Sequence, residues 1–381
     1  MRHPSVVFFL YLGRVFALSS ALPSMADKAV DTSVPKVFRA LVAGSAGDSF
    51  SDVATVVELE DVPEPKSDEA LIRVAYAGVN GGCETFRARG EHSFAGNKDA
   101  TNFRLGAEGV GHVVAVGSEV ENVSVGDAVC FVGSAFSEYT TSKASTLWVV
   151  PEATPEFVGL RISALTSCAM LEQTGKIQPG ETVLITAAAG GAGHFAVQFA
   201  KLAGCRVIGT CGSDEKARVL ETLGCDHVIN HKTRDVEAEL RRIAPDGLDV
   251  VLEGVGGAML KTALECLAPE GRLLQIGYIS EYPHNDAGAS ENAKHDLDTP
   301  ELFWKSQTIR RGRQTIYGNA WPKDFGLVAS SKNRVLDLYA ENKLQSIVDK
   351  SPEFVGLESV SDAINHMLSG KTIGKVVVKI S

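Results

Sequence analysis

The sequence predicts an α/β fold in two domains: a barrel-like domain of short β-strands, then a parallel, doubly wound sheet. Three observations point there. Between Val37 and about Val150, short apolar–polar alternations are broken by glycine, as in "FRALVA", "ATVVELEDVP", "EALIRVAYAGV", "GVGHVVAVG" and "DAVCFVG". From Val183 to Lys201 the stretch "VLITAAAGGAGHFAVQFAK" passes from an apolar strand through three glycines into a helix. Beyond it, strand and helix patterns alternate. Short strands separated by turn residues suit a compact barrel, whereas alternating strands and helices build a parallel sheet covered on both faces. A chain of 381 residues exceeds one ordinary core, in keeping with two domains.

Taken in order, residues 1–26 stand apart. "MRHPSVVFFLYLGRVFALSSALPSMA" has arginines at 2 and 14, several serines, no acid and a small-residue end, the composition of a targeting leader. Its apolar run from Val6 is interrupted at Arg14, short of the roughly 20 residues that span a bilayer. Arg14 and the absence of acids favour a mitochondrial address. A secretory signal shares the small-residue end, and Met25 offers a cytoplasmic start. Residues 36–160 form the barrel-like domain, completed by 345–381. A helical pattern runs from about Glu152 to Lys176, and Pro179-Gly180 turns the chain into a strand at 182–187. A helix follows at 192–203. "CRVIGT", "HVIN", "LDVVLEGV" and "GRLLQIGY" supply further strands of a second domain over 161–320, with a helix beginning near Asp214. Residues 281–300 read as a polar surface loop, and the tail from Gly356 as one helix and one strand.

Composition removes several function classes. A net charge of −10 and a pI near 5.5 leave no basic stripe for nucleic acid. Seven cysteines, none in a C-x-x-C pair, read as thiols rather than as disulfides or a structural zinc site.

The glycine-rich junction carries the chemistry. A strand, a tight glycine turn and a helix bring unpaired N–H groups and a positive dipole end to a surface without Cβ atoms, where a pyrophosphate can approach. Ala187-x-x-Gly190-x-x-Gly193 is a variant of the usual spacing, and the strand before it and helix after it supply the required context. Ala189, Gly190, Gly191, Ala192 and Gly193 are the candidate pyrophosphate cradle. The following strand ends Thr210-Cys211-Gly212-Ser213 without the carboxylate that an NAD site places on the ribose. Ser213 and Lys216, with Arg218 nearby, suit a 2′-phosphate, so NADPH is favoured. Asp214, read as the helix cap, leaves some NAD use open.

With these motifs in place the chain resembles the medium-chain dehydrogenase/reductase superfamily, and within it the zinc-free quinone oxidoreductase branch. The similar stretches are "TAAAGGAG", "VIGTCGSDEKA", "LGCDHVIN", "EGVGGAM", "GRLLQIGYISEY" and "GLESVSDAINHM". The resemblance implies a GroES-like β-barrel catalytic domain plus a Rossmann sheet, and a homodimer. Zinc-containing members carry a cysteine, a histidine and a third ligand where this chain has Asn80, Ala107 and, near the third, Ile162, which cannot assemble a tetrahedral N/S site. Metal-free hydride transfer suits an acceptor that is already electrophilic. The resemblance therefore implies an NADPH-dependent reductase of the carbon–carbon double bond of an α,β-unsaturated ketone, of the 15-oxoprostaglandin 13-reductase kind. A quinone reductase and a non-catalytic NADPH-binding protein are the alternatives.

It also implies that Asn80 and Tyr278 stand beside the nicotinamide as catalytic residues. Thr166, Gly254, Val255, Gly277, Tyr278 and Ile279 would flank the cofactor, with His231 near the 2′-phosphate. For Asn80 a plain turn role is the competing reading, and for Tyr278 ordinary packing. Phe86 takes the place of a tyrosine common in relatives. In "RRGRQTIYGNAWPKD", where a substrate-facing surface is expected, Arg311, Arg313 and Gln314 intrude and Tyr317 follows. They read either as a carboxylate-binding patch or as a water-facing edge strand. Cys83 and Cys168 are reactive-thiol or filler candidates, and His194 reads as surface or cofactor-edge.

Overall fold

The computed structural model describes residues 32–47, 49–82, 84, 101–282, 296–318 and 325–381. The leader 1–26, Cys83 and Phe86 lie outside them. Strands β1 (Val37–Ser45), β2 (Ala54–Glu60) and β4 (Thr101–Arg104) make a small sheet, β3 being Glu69–Gly78. A second sheet joins β3 to β5 (Glu108–Val116), β6 (Ala128–Val132), β7 (Tyr139–Lys143) and β8 (Trp148–Val150). Alternation along these strands sends one face inward, so Ile72, Val74, Val113, Val129 and Phe131 bury together as the barrel interior.

The chain then enters a helical run over 155–174 in which α-helical and π-helical turns alternate. The anticipated helix is there, with wide turns that periodicity does not reveal. Wide turns of this kind are frequent at functional sites.

The third sheet holds β9 (Thr182–Ile185), β10 (Arg206–Cys211), β11 (His227–Asn230), β12 (Leu248–Glu253), β13 (Leu267–Gln275), β14 (Thr308–Arg311) and β15 (Gln314–Tyr317). Its order is β11-β10-β9-β12-β13-β15-β14, parallel throughout except for the antiparallel β14–β15 hairpin. The strand order reverses between β9 and β12, with β10 and β11 laid down on one side and β12 and β13 on the other, and ligands of such sheets bind outside the strand ends at that switch point. β9 stops two residues earlier than expected, since Ala187 takes a left-handed φ of 45°. The helix opens at Gly193 and closes at Leu202.

Two elements of the C-terminal third were not expected, the helix Phe325–Ala340 and strand β16 (Val348–Val355). Helix Thr299–Trp304 starts inside the stretch read as a loop, of which 283–295 lies outside the described residues. The chain returns through helix Val360–Leu368 to β17 (Lys375–Lys379), which pairs with β3 and β16 in the barrel sheet. One hydrophobic cluster runs from Trp148 and Cys130 of the barrel through Leu165 and Met170 of the linking run to Val183 and Leu252 of the parallel sheet. That continuity fixes the facing walls of the site. Among the described residues no helix is long and apolar enough to cross a membrane.

Candidate active site

The barrel wall is built where β3 ends. At Gly78 a Cβ would meet Val158 Cγ1 at 2.7 Å and Lys375 Cε at 2.9 Å, so only glycine lets β17 and β5 close around the strand end. Asn80 follows at once. Its Nδ2 donates to Glu108 Oε1 at 2.9 Å, and its Oδ1 accepts from Lys375 Nζ at 2.7 Å. Lys375 Nζ and Glu108 Oε1 lie 2.6 Å apart, with side chains 2% and 0% exposed. An amide held at both ends has one orientation, and the buried ion pair sets it. A turn role alone does not describe Asn80.

The glycine turn forms the opposite wall. Gly190 and Gly191 differ in room: a Cβ on Gly190 would stand 3.2 Å from Ala187 O, whereas one on Gly191 would meet nothing closer than Lys375 Cδ and Ser163 Oγ, both at 3.5 Å. Gly193 differs, since its Cβ would run into the backbone carbonyls of Ala187 and Ala188. The expectation that a side chain there intrudes on phosphate space is corrected: Gly193 is glycine so that the turn can fold on itself. Beneath the turn lies His194, with no exposure, which corrects its reading as surface or cofactor-edge. Its Nδ1 stands 2.9 Å from Gly190 O, and its Nε2 accepts from Ile347 N at 3.1 Å. The ring is therefore the neutral Nδ1–H tautomer, donating to Gly190. Burial pulls its pKa down to about 4 against the raising effect of the Gly190 bond.

Both walls face one cavity of about 1450 Å³. Ala189, Gly190, Gly191, Ala192 and Gly193 line it, and so do Asn80 and Thr166. Gly254 and Val255 at the end of β12 reach it, as do Gly277 and Ile279 after β13. At the end of β10, Lys216 and His231 line it together with Lys232, which the sequence reading passed over. Burial lowers the pKa of both Lys216 and His231, and mutual repulsion with Lys232 adds to it. Three basic groups thus converge in one corner of the cavity. Lys216 Nζ donates to Gly370 O at 2.6 Å, which places the C-terminal return on the rim of this corner.

Other expectations are displaced. Ser213, not Asp214, caps helix Asp214–Thr222 by accepting from Lys216 N, while Asp214 accepts from Asn230 Nδ2 at 2.9 Å. Ser213 is off the cavity wall. Tyr278 is 3% exposed and packs edge-on against Tyr282 and Phe303, its hydroxyl accepting from Trp304 Nε1 at 3.1 Å. Its side chain belongs to an aromatic cluster beside the cavity, so the catalytic assignment is corrected to packing. Arg311 pairs with Asp296 at 3.2 Å, and Arg313 pairs with Glu270. Both sit on the outer hairpin of the parallel sheet, and Tyr317 packs on the main core. None of the three lines the cavity, so the water-facing edge strand is the correct reading. Cys168 is buried, its thiol pushed up to about 12 by burial, and acts as filler.

Sequence reasoning also missed Glu108, Lys375, Arg161 and Lys332 on the cavity and its wall. Glu108 directly follows Ala107, and Lys375 opens β17. Ala107 and Ile162 share the cavity wall with Asn80. Alanine and isoleucine offer no ligand atom, Asn80 is engaged at both ends, and no group of three His, Cys, Asp or Glu gathers among the described residues. These residues do not fit a catalytic zinc.

A strand-end cavity at a topological switch point, with a glycine turn on one side and a polar barrel wall on the other, defines a two-domain nicotinamide-dependent oxidoreductase. Residues 66–152 match the alcohol dehydrogenase GroES-like domain, and residues 191–330 match the zinc-binding dehydrogenase domain. The chain is 38% identical over 359 residues to prostaglandin reductase-3 of Mus musculus, covering 92% of this chain and 91% of that one. It is similar to the crystal structure of the CurK enoyl reductase, with a TM-score of 0.73, 26% identity and coverage of 91% and 100%. It shares the fold of Escherichia coli quinone oxidoreductase solved with NADPH, with a TM-score of 0.74, 23% identity and coverage of 90% and 99%. The chain belongs to the medium-chain dehydrogenase/reductase superfamily.

Proposed function

We propose that the chain is an NADPH-dependent reductase of the carbon–carbon double bond of an α,β-unsaturated ketone. The observation that carries this reading is the Asn80–Glu108–Lys375 wall, metal-free by its residue types, set across one cavity from the glycine turn. The names of two similar proteins, prostaglandin reductase-3 and an enoyl reductase, support the same chemistry.

The residues fit the cofactor. Gly191 leaves room for a pyrophosphate, and Lys216 and Lys232 supply cations, with the neutral ring of His231 beside them, for a 2′-phosphate. Bound NADPH supplies the hydride. The chain's own part is to hold and to polarise. Asn80, its amide fixed by Glu108 and Lys375, offers its second Nδ2 hydrogen to an acceptor carbonyl. Lys375 adds positive charge beside the place where negative charge develops on that oxygen, a contribution that grows in a dry site. Both groups are oriented before the acceptor arrives, so little reorganisation is left for the reaction itself.

The test is NADPH oxidation by the chain lacking residues 1–26, offered medium-chain enones, simple quinones and saturated ketones. Enone turnover with NADPH preferred over NADH is expected. Turnover of quinones alone would move the assignment to quinone reduction. Tight NADPH binding without turnover of any acceptor would make it a binding protein.

A further inference from the structure

The barrel end of the cavity holds a cation that the reading above does not use. Arg161 is the second residue of the π-helical turn Leu160–Ala164 of the linking run, one residue before Ile162, and is 5% exposed. Its Nε and Nη1 are buried without a hydrogen-bond partner. The guanidinium carbon stands 4.8 Å from the centre of the Trp148 ring, and Lys332 Nζ, from helix Phe325–Ala340, stands 5.9 Å from the same ring. Arg161, Lys332 and Trp148 all line the cavity, joined by Thr146 and Asn333.

Charge is unbalanced there. Glu108 is the carboxylate that acts on Arg161, but its Oε1 is already taken by Lys375 and Asn80. The neighbouring Cys130 thiol donates to Phe157 O and is held neutral by burial. Arg161 and Lys375 thus share the Glu108 carboxylate, and Lys332, whose Nζ donates to Leu147 O at 3.3 Å, adds a further cation close to Arg161. Stacking on an indole offsets part of the cost of burying a guanidinium. It leaves Nε and Nη1 unsatisfied, and buried unsatisfied donors are costly. A planar fork of donors beside a second cation matches the two oxygens of a carboxylate.

We propose that Arg161 and Lys332, arranged about Trp148, form a subsite for a carboxylate carried by the acceptor, so that the preferred substrates are enones with an acidic tail. This rests on the enone-reductase reading and names the substrate class of the same cavity. Arg161 is a specificity residue, and the reduction itself is left to the Asn80 wall.

The test compares a medium-chain oxo-enoic acid with its methyl ester in the parent, Arg161→Met, Arg161→Lys, Lys332→Met and the sheet-edge control Arg313→Met. Calorimetric titration of the saturated keto acid and of NADPH runs alongside. The parent is expected to favour acid over ester at least about tenfold in kcat/KM, chiefly through KM, a difference of the size of one charge-assisted hydrogen bond. Arg161→Met brings the ratio close to one and weakens keto-acid binding, while NADPH titrates as in the parent. Arg161→Lys keeps part of the preference, Lys332→Met lowers it, and Arg313→Met leaves it as it was. A parent ratio below about two, or an Arg161→Met protein that binds NADPH and keeps the preference, overturns the subsite. If Arg161→Met does not fold, the decision passes to Lys332→Met, whose unchanged ratio overturns it equally. If neither acceptor turns over, the enone reading fails, and keto-acid binding in the parent and variants still decides the subsite.

Discussion

At the scale of single residues, the three glycines of one turn have different jobs. A Cβ on Gly191 would meet Lys375 Cδ and Ser163 Oγ at ordinary contact distance, whereas Gly193 faces the carbonyls of Ala187 and Ala188. Gly191→Val is therefore expected to fold with a melting temperature near the parent's and to lose NADPH binding. Gly193→Val is expected to lose stability by about 1–3 kcal/mol or more, as overpacked sites do. Thermal melts with and without NADPH separate the two, and equal behaviour would refute the division of roles. Lys216 makes a second case. Lys216→Ala should weaken NADPH about tenfold or more, the worth of a charge-assisted hydrogen bond, and leave NADH nearly unchanged. Equal loss for both cofactors would place Lys216 outside the 2′-phosphate corner. The cradle was legible because its signal is local, a strand, glycines and a helix in one short stretch. The neighbours that decide which glycine touches what are also close in sequence, but only backbone geometry tells a crowded Cβ position from an open one.

At the scale of elements, the ends of β12 and of the glycine turn hold two buried titrating groups with opposite leanings. Glu253 accepts from Val255 N and Gly256 N, yet burial pushes its pKa from 4.5 up to about 7. An acid raised in the folded state contributes stability that is complete below 4.5 and is lost as pH rises to about 7. His194 is lowered from 6.5 to about 4, so its contribution is complete above 6.5 and is lost as pH falls towards 4. Each window spans up to about 3 kcal/mol, and the two slopes largely cancel in the parent. Glu253→Gln should unmask the histidine, with urea midpoints that climb more steeply from pH 4.5 to 6.5 than the parent's. His194→Gln, whatever its absolute stability, should tilt the same plot the other way. Parallel curves for all three proteins would remove both groups from the pH dependence. The elements were legible where hydrophobic periodicity is strong, as in the strands of the parallel sheet. In the 155–174 run the helix was legible but its wide π turns were not, because they keep the same apolar composition. At β14 and β15 composition shows an edge but not which face of the molecule it borders, and so Arg311 and Arg313 were drawn towards a site they do not reach.

At the scale of the whole molecule, the site depends on one buried pair that closes the chain on itself. Lys375 and Asn80 are 295 positions apart, and Glu108 meets Lys375 with both side chains essentially unexposed. No spacing rule links residues so distant, which is why this wall stayed hidden while the glycine turn did not. Only the return of β17 beside β3 brings them together. The pair is also a structural commitment, because each ion is tolerable in that interior only while the other is present. Lys375→Met should cost about 3–5 kcal/mol in urea denaturation, since Glu108 is left charged and buried. Lys375→Met combined with Glu108→Gln should recover most of that loss, because replacing both partners of a buried pair is often nearly neutral. The double variant is then the informative one for function. If its stability returns and NADPH still binds, but enone turnover stays well below the parent's through kcat, the pair serves the reaction by holding and charging the Asn80 wall. If turnover returns with stability, the pair only closes the fold, and the acceptor's oxygen finds its donors elsewhere.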